Sequence, residues 1–83
     1  MTKTSRRDDG LLSARYARAS RRVAEVEVLL ARQQAKVDGL RRLGFHDEAN
    51  AERSLLNGIQ DLLRLCIKDR DETSRRMTGH LVQ

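Results

Sequence analysis

Apolar residues recur at alternating spacings of three and four along most of this 83-residue chain. This pattern constrains the fold more than any other feature, because it places apolar side chains along one stripe of a helix. In the first half the stripe runs from Leu12 to Leu40 for four heptads, and Gln33 is its only polar member. The stripe resumes at Ala49, with Glu52 as the polar exception near its start. Two long amphipathic helices are therefore predicted.

The segment LRRLGFHDEAN (residues 40–50) contains the clearest break between the helices. Gly44 is predicted to end the first helix in the left-handed C′ position, because it has no Cβ to clash there. Phe45 then follows, in a position from which it can pack back on Leu40. Asp47 is predicted to cap the second helix with its carboxylate. A connection this short forces the two helices to lie antiparallel.

The predicted fold is an all-α antiparallel two-helix hairpin, coiled-coil-like, which assembles into a dimeric four-helix bundle. Helix 1 is expected at about 11–43 and helix 2 at about 47–77, with the turn at 44–46. The first ten residues form a flexible basic arm in this prediction, and residues 78–83 form a flexible tail.

Folding Gly44 against Asp47 predicts facing residues whose numbers add up to about 91. Three opposite-charge pairs follow from that register: Asp38 with Arg53, Glu27 with Arg64, and Arg22 with Asp69. The same register predicts a hairpin core made of Val23, Val26, Leu30, Val37, Leu40, Leu56, Ile59, Leu63 and Cys66.

Several apolar residues lie outside the stripe that a two-helix seam needs. Leaving them in water would forfeit much of a small protein's stability, since each buried Leu or Ile gains about 1.5–3 kcal/mol. We therefore expect a self-association surface, or a surface for another helical protein, formed by Val28, Leu29, Leu55, Leu62 and Ile67.

The net charge of +5 is concentrated at one end of the chain. Residues 1–22 contain seven basic and two acidic side chains, whereas the remaining residues contain ten of each. Four arginines share one side of helix 1 and form a possible anion-binding site for nucleic acid: Arg15, Arg18, Arg21 and Arg22. This accessory nucleic-acid function is the alternative to protein binding. Asp69, Asp71 and Glu72 reach the same level and could neutralise the arginines, which leaves a solvated, salt-bridged face as the simpler interpretation.

Catalytic chemistry is not expected. His46 lies in the turn, and the single cysteine, Cys66, lies on the apolar stripe, where a thiol is inert. Neither a phosphate-binding loop nor a metal-ligand motif occurs in the sequence, so no catalytic, cofactor or metal residue is predicted. One thiol, no leader and no apolar run near 20 residues indicate a cytoplasmic, non-membrane protein.

A Val-x-x-Leu helix end, a Gly–His–Asp corner, an Ala-rich start, Leu-Leu and a closing Arg-Asp follow one another between residues 23 and 71. The positions are Val37, Leu40, Gly44, His46, Asp47, Ala49, Ala51, Leu55, Leu56, Arg70 and Asp71. In these residues the chain resembles a group of small uncharacterised helical-hairpin proteins of rhizobial-type alphaproteobacteria, and departs from them by inserting Phe45. The resemblance implies the hairpin fold and carries no activity.

Overall fold

The structure is a computed structural model that describes the backbone of residues 2–82 and the side chains of residues 10–79. Two helices form this part of the chain: α1 covers Thr2–Arg42 and α2 covers His46–Val82. They pack side by side and antiparallel in a rod of 65 × 14 × 14 Å. The predicted all-α hairpin is confirmed, and residues 2–82 contain no strand.

Both helices extend beyond their predicted outer boundaries, which were about residues 11 and 77. Neither extension contains a proline, and the glycines at positions 10 and 79 each cost a helix only about 1 kcal/mol. The mobility predicted for 1–10 and 78–83 stays a prediction, because most of their side chains lie outside the described residues.

The turn lies at residues 43–45, one residue earlier than the predicted 44–46, and Gly44 ends α1 as predicted. Gly44 has a φ of +84°, in the left-handed region. The Phe45 N–H donates to the Leu40 carbonyl at 2.9 Å and the Gly44 N–H donates to the Arg41 carbonyl at 3.0 Å, the two hydrogen bonds of a Schellman ending. The Phe45 side chain is 50% exposed, and its predicted contact with Leu40 stays a prediction.

The prediction that Asp47 caps the second helix is wrong. α2 begins one residue earlier, at His46, because the Ala49 N–H already donates to the Phe45 carbonyl at 2.9 Å. Phe45 therefore occupies the capping position. Asp47 and Glu48 lie in the first turn of α2, where their charges complement the positive end of the helix dipole.

The core follows the predicted stripe. Val23, Val26 and Cys66 form its central cluster, and Ile59 and Leu63 pack against them. Of the nine predicted core residues, five are buried and four are partly buried; the partly buried ones are Leu30, Leu40, Ile59 and Leu63. The buried stripe also includes Ala19, Gln33, Ala49 and Thr73.

The register of the two helices differs from the prediction. The polar side chains that meet across the helices have numbers that add up to 84 for Arg15 and Asp69, 85 for Gln33 and Glu52, and 88 for Lys36 and Glu52, all below the predicted value of about 91. Buried polar groups need partners, whereas an exposed ion pair contributes only about 0–1 kcal/mol. The helices therefore align so that the two polar members of the stripe meet.

The three ion pairs predicted from the wrong register do not form within residues 10–79: Asp38–Arg53, Glu27–Arg64 and Arg22–Asp69. Two of the groups bond inside their own helix instead. The Asp38 carboxylate accepts a hydrogen bond from Gln34 at 3.1 Å, and Arg64 donates to Asp61 at 2.7 Å. Charges at the flanks of the seam thus follow the alignment and do not determine it.

Candidate interaction surfaces

The two polar residues of the apolar stripe form one cluster between the helices. Gln33 is 8% exposed, and its Nε2 donates to the main-chain carbonyl of Glu52 at 2.8 Å and to Glu52 Oε2 at 2.7 Å. Lys36 Nζ lies 3.1 Å from Glu52 Oε1. The hydrogen bond from Gln33, followed by that from Lys36, lowers the pKa of Glu52 below its usual value. A polar group placed this way in a helical seam fixes the register.

Exposed leucines collect on one flank of the hairpin. Leu62 and Leu65 line a shallow cavity of about 150 Å³ together with Arg22. Leu55 precedes Leu62 by one heptad and Leu29 follows Arg22 by one heptad, so both lie on this same flank. We name these four residues the leucine face; the exposed fractions are 48% for Leu29, 55% for Leu55, 45% for Leu62 and 65% for Leu65.

The opposite flank of the hairpin is mostly polar. Ser20, Glu27, Gln34 and Gln60 occupy its heptad positions, and the apolar exception is Ile67, one heptad after Gln60, which packs against the core cluster. Solubility alone does not explain why the exposed leucines are confined to one flank. The contrast between the flanks therefore indicates a one-sided interaction surface.

The leucine face contains three of the five residues predicted for a partner surface: Leu29, Leu55 and Leu62. Val28 is 50% exposed but lies further around α1, on the side away from α2. The prediction for Ile67 is wrong, because Ile67 is only partly exposed and packs against the core cluster. Leu65 was missed. Its heptad position normally faces solvent, although Leu65 lies at i+3 from Leu62 and borders the same cavity.

Three of the four predicted anion-binding residues line one groove on α1. Arg18, Arg21 and Arg22, with Glu25, surround a space of about 190 Å³, and we name the three arginines the arginine groove. Arg15 lies outside this groove, with its guanidinium 3.8 Å from the Asp69 carboxylate.

The acids that the sequence suggested as neutralising partners do not pair with the groove. Asp69 lies 3.8 Å from Arg15 and borders the cavity that Arg22 also lines, and Asp71 is bonded to Arg70 at 3.3 Å. Glu72 is partly buried in α2. Among the side chains of residues 10–79, no carboxylate forms an ion pair with the three arginines of the groove.

Reactive side chains do not gather anywhere in the described part of the chain. Cys66 is buried in the core, and His46 is exposed in the first turn of α2. Residues 10–79 hold no group of three or more His, Cys, Asp or Glu that could ligate a metal ion. Over the same part of the chain, neither helix has an apolar stretch of the length needed to cross a bilayer.

The comparisons with known proteins return no match: no protein-family model, no curated protein and no solved structure is similar to this chain. The functional argument therefore depends on the geometry of the leucine face and the arginine groove.

Proposed function

We propose that this protein is a non-catalytic interaction module whose leucine face binds a second copy of the same chain. The leucine face is the observation that carries the proposal, because four half-exposed leucines share one flank of the rod. Full burial gains about 1.5–3 kcal/mol per leucine, and contiguous exposed apolar surface usually marks a contact site. A hairpin 14 Å thick has no third layer with which to cover this flank.

A second copy fits this face because both helices contribute to it. Leu29 belongs to α1, whereas Leu55, Leu62 and Leu65 belong to α2. Under a twofold axis the same patch meets itself, and in an antiparallel pair α1 of one copy packs on α1 of the other while α2 packs on α2. Two hairpins joined in this way form a four-helix bundle, the usual way for amphipathic hairpins to complete a core.

The charge distribution along the rod favours an antiparallel pair. Residues 23–62, the half that contains the turn, hold seven acidic and five basic side chains. The other half, counted over the described side chains of residues 10–22 and 63–79, holds nine basic and three acidic side chains. An antiparallel pair brings the acidic half of one copy level with the basic half of the other, whereas a parallel pair stacks the two basic halves.

The single thiol, buried in the core, accords with a reducing compartment. We therefore extend the proposal to a cytoplasmic protein that requires no cofactor.

The test is the solution mass, measured by light scattering after gel filtration at low and at high salt. We expect a dimer at both, because apolar association persists when salt screens charges. Leu55→Glu with Leu62→Glu should give monomers. The matched control is Val28→Glu with Ala35→Glu, which adds the same charge at exposed positions facing away from α2 and should leave the dimer intact. A monomeric wild-type protein, or equal losses in both variants, would contradict the proposal.

Orientation can be tested by oxidation in a Cys66→Ala background. Leu29→Cys places a thiol near the centre of the leucine face, close to the twofold axis, and should form an intermolecular disulfide. Leu43→Cys places a thiol at the turn, where Leu43 is 72% exposed. In an antiparallel pair the two turns lie at opposite ends, so this variant should stay unlinked. Rapid linkage through Leu43→Cys alone would indicate a parallel pair.

A further inference from the structure

We propose that the arginine groove binds the phosphate backbone of duplex nucleic acid. The groove adjoins the leucine face, because Arg22 lines both the groove and the cavity of Leu62 and Leu65. Arg18 and Arg21 lie outside that cavity, so the inference does not require self-association.

The three arginines form a compact array on the first helix. Arg18, Arg21 and Arg22 stand at i, i+3 and i+4, within about 6 Å along the axis at 1.5 Å per residue. All three are exposed and line one groove. A guanidinium group binds phosphate oxygens with two parallel hydrogen bonds and stays charged at every physiological pH. Three such groups on a rigid helix can contact neighbouring phosphates of one strand.

The groove keeps a net positive charge because arginines outnumber the acids near it. Glu25 lines the groove with the three arginines, and Asp69 borders the adjoining cavity with Arg22 while it also lies 3.8 Å from Arg15. Asp71 is bonded to Arg70. The surrounding half of the rod has a large basic excess, which attracts a polyanion from a distance and favours rapid encounter.

The aromatic residues favour a duplex over a single strand. Proteins that hold single strands stack the bases on aromatic side chains. The chain has one Tyr and one Phe. Tyr16 is partly buried on the seam, and Phe45 lies at the turn, at the opposite end of the rod from the groove. The arginine groove therefore offers phosphate contacts without stacking surfaces, which suits a paired backbone.

A membrane surface is the competing ligand for the arginine groove. Helices that lie in a membrane interface insert a continuous row of large apolar side chains beside their basic residues. On α1, Leu11 lies one heptad before Arg18 and is 62% exposed, and Val28 lies one heptad after Arg21 and is 50% exposed. Between them the outward side chains are small (Ala14, Ala17 and Ala24), so no continuous apolar row accompanies the arginines and a duplex is the favoured ligand.

The experiment is fluorescence anisotropy of a labelled 20-base-pair DNA duplex titrated with the full chain between about 50 and 200 mM salt. Three phosphate contacts correspond to a slope of about −2.7 in log K against log salt, or about 40-fold weaker binding across this range. The groove variant Arg18→Gln, Arg21→Gln, Arg22→Gln should lose that component. The control Arg41→Gln, Arg42→Gln, Arg53→Gln removes the same charge from exposed positions near the turn and should retain it.

Each result decides the proposal. Binding that falls in the groove variant and persists in the control supports it, and an RNA duplex of the same sequence should behave alike. No binding at 50 mM salt, equal losses in both triple variants, or binding only to phosphatidylserine vesicles would overturn it. Circular dichroism checks that the variants stay helical, and their solution mass should equal that of the wild type. Duplex binding by a Leu55→Gln, Leu62→Gln variant, which adds no charge beside Arg22, would separate this site from the leucine face.

Discussion

The two ends of the hairpin are held together by different means. At the closed end, Gly44 turns the chain and Gln33 makes two hydrogen bonds to Glu52 across the helices. At the open end, the ion pair between the helices joins Arg15 and Asp69 at 3.8 Å, with both side chains about half exposed. Directional contacts therefore fix the alignment at the closed end, and the open end follows from the length and direction of the helices.

The most deeply buried side chain at each end differs in its chemistry. Val37, near the closed end, and Thr73, near the open end, are each 1% exposed. Val37 buries only apolar atoms. The Thr73 hydroxyl donates to the Asp69 carbonyl of its own helix at 2.9 Å, so this buried polar group is satisfied without the other helix. Thr73 is thus covered by packing against α1, but it makes no directional contact with α1.

The largest effect is expected for Val37→Ala. Removing two buried methyl groups and leaving a cavity should lower the free energy of unfolding by about 2 kcal/mol. Thr73→Ala should cost about 1 kcal/mol or less, because it removes one methyl group and a hydroxyl that bonds locally, and Ala is the better helix former. Urea unfolding at a fixed protein concentration measures both. A larger loss at Thr73 would show that the open end carries more of the packing energy than its contacts indicate.

Replacing glycine by alanine should change the stability in opposite directions at Gly44 in the turn and at Gly39 inside α1. Gly44→Ala places a Cβ on a residue with a φ of +84° and should destabilise by about 1–2 kcal/mol, although nothing lies within 4 Å of the new atom. Gly39→Ala, inside α1 and equally free of neighbours within 4 Å, should stabilise by about 1 kcal/mol. Thermal unfolding followed by circular dichroism distinguishes them. A gain at both positions would mean that the turn tolerates another conformation, and the closed end would lose its role in alignment.

The sequence predicted the helices, the turn glycine and most of the core, because each depends on local chemistry or on the period of the apolar stripe. The register was mispredicted because it was inferred from Asp38, Glu27 and Arg22, whose exposed charges contribute little. The informative residues were Gln33 and Glu52, each of which is a polar exception in the apolar stripe of its own helix. Leu65 was missed because its heptad position normally faces solvent, although residues at i and i+3 are neighbours on a helix and Leu65 therefore lies beside Leu62.

The smallest predicted effect concerns pH and compares carboxylates at the two ends. Glu52 has a lowered pKa in the folded chain, so its contribution to stability is complete above its usual value of 4.5 and is lost as the pH falls through the folded value. The free energy of unfolding should therefore fall more for wild type than for Glu52→Gln between about pH 5 and pH 3. Both proteins contain all the other carboxylates, so the difference between their pH profiles reports on Glu52 alone.

At pH 7, Asp69→Asn should change the free energy of unfolding by less than about 0.5 kcal/mol, because the ion pair of Asp69 is long and exposed. Midpoints of urea unfolding across this pH range measure the contrast. Parallel pH profiles for wild type and Glu52→Gln would show that the Glu52 charge does not contribute to the alignment of the closed end. The Gln33 hydrogen bond to the Glu52 main chain would then be the contact that aligns it.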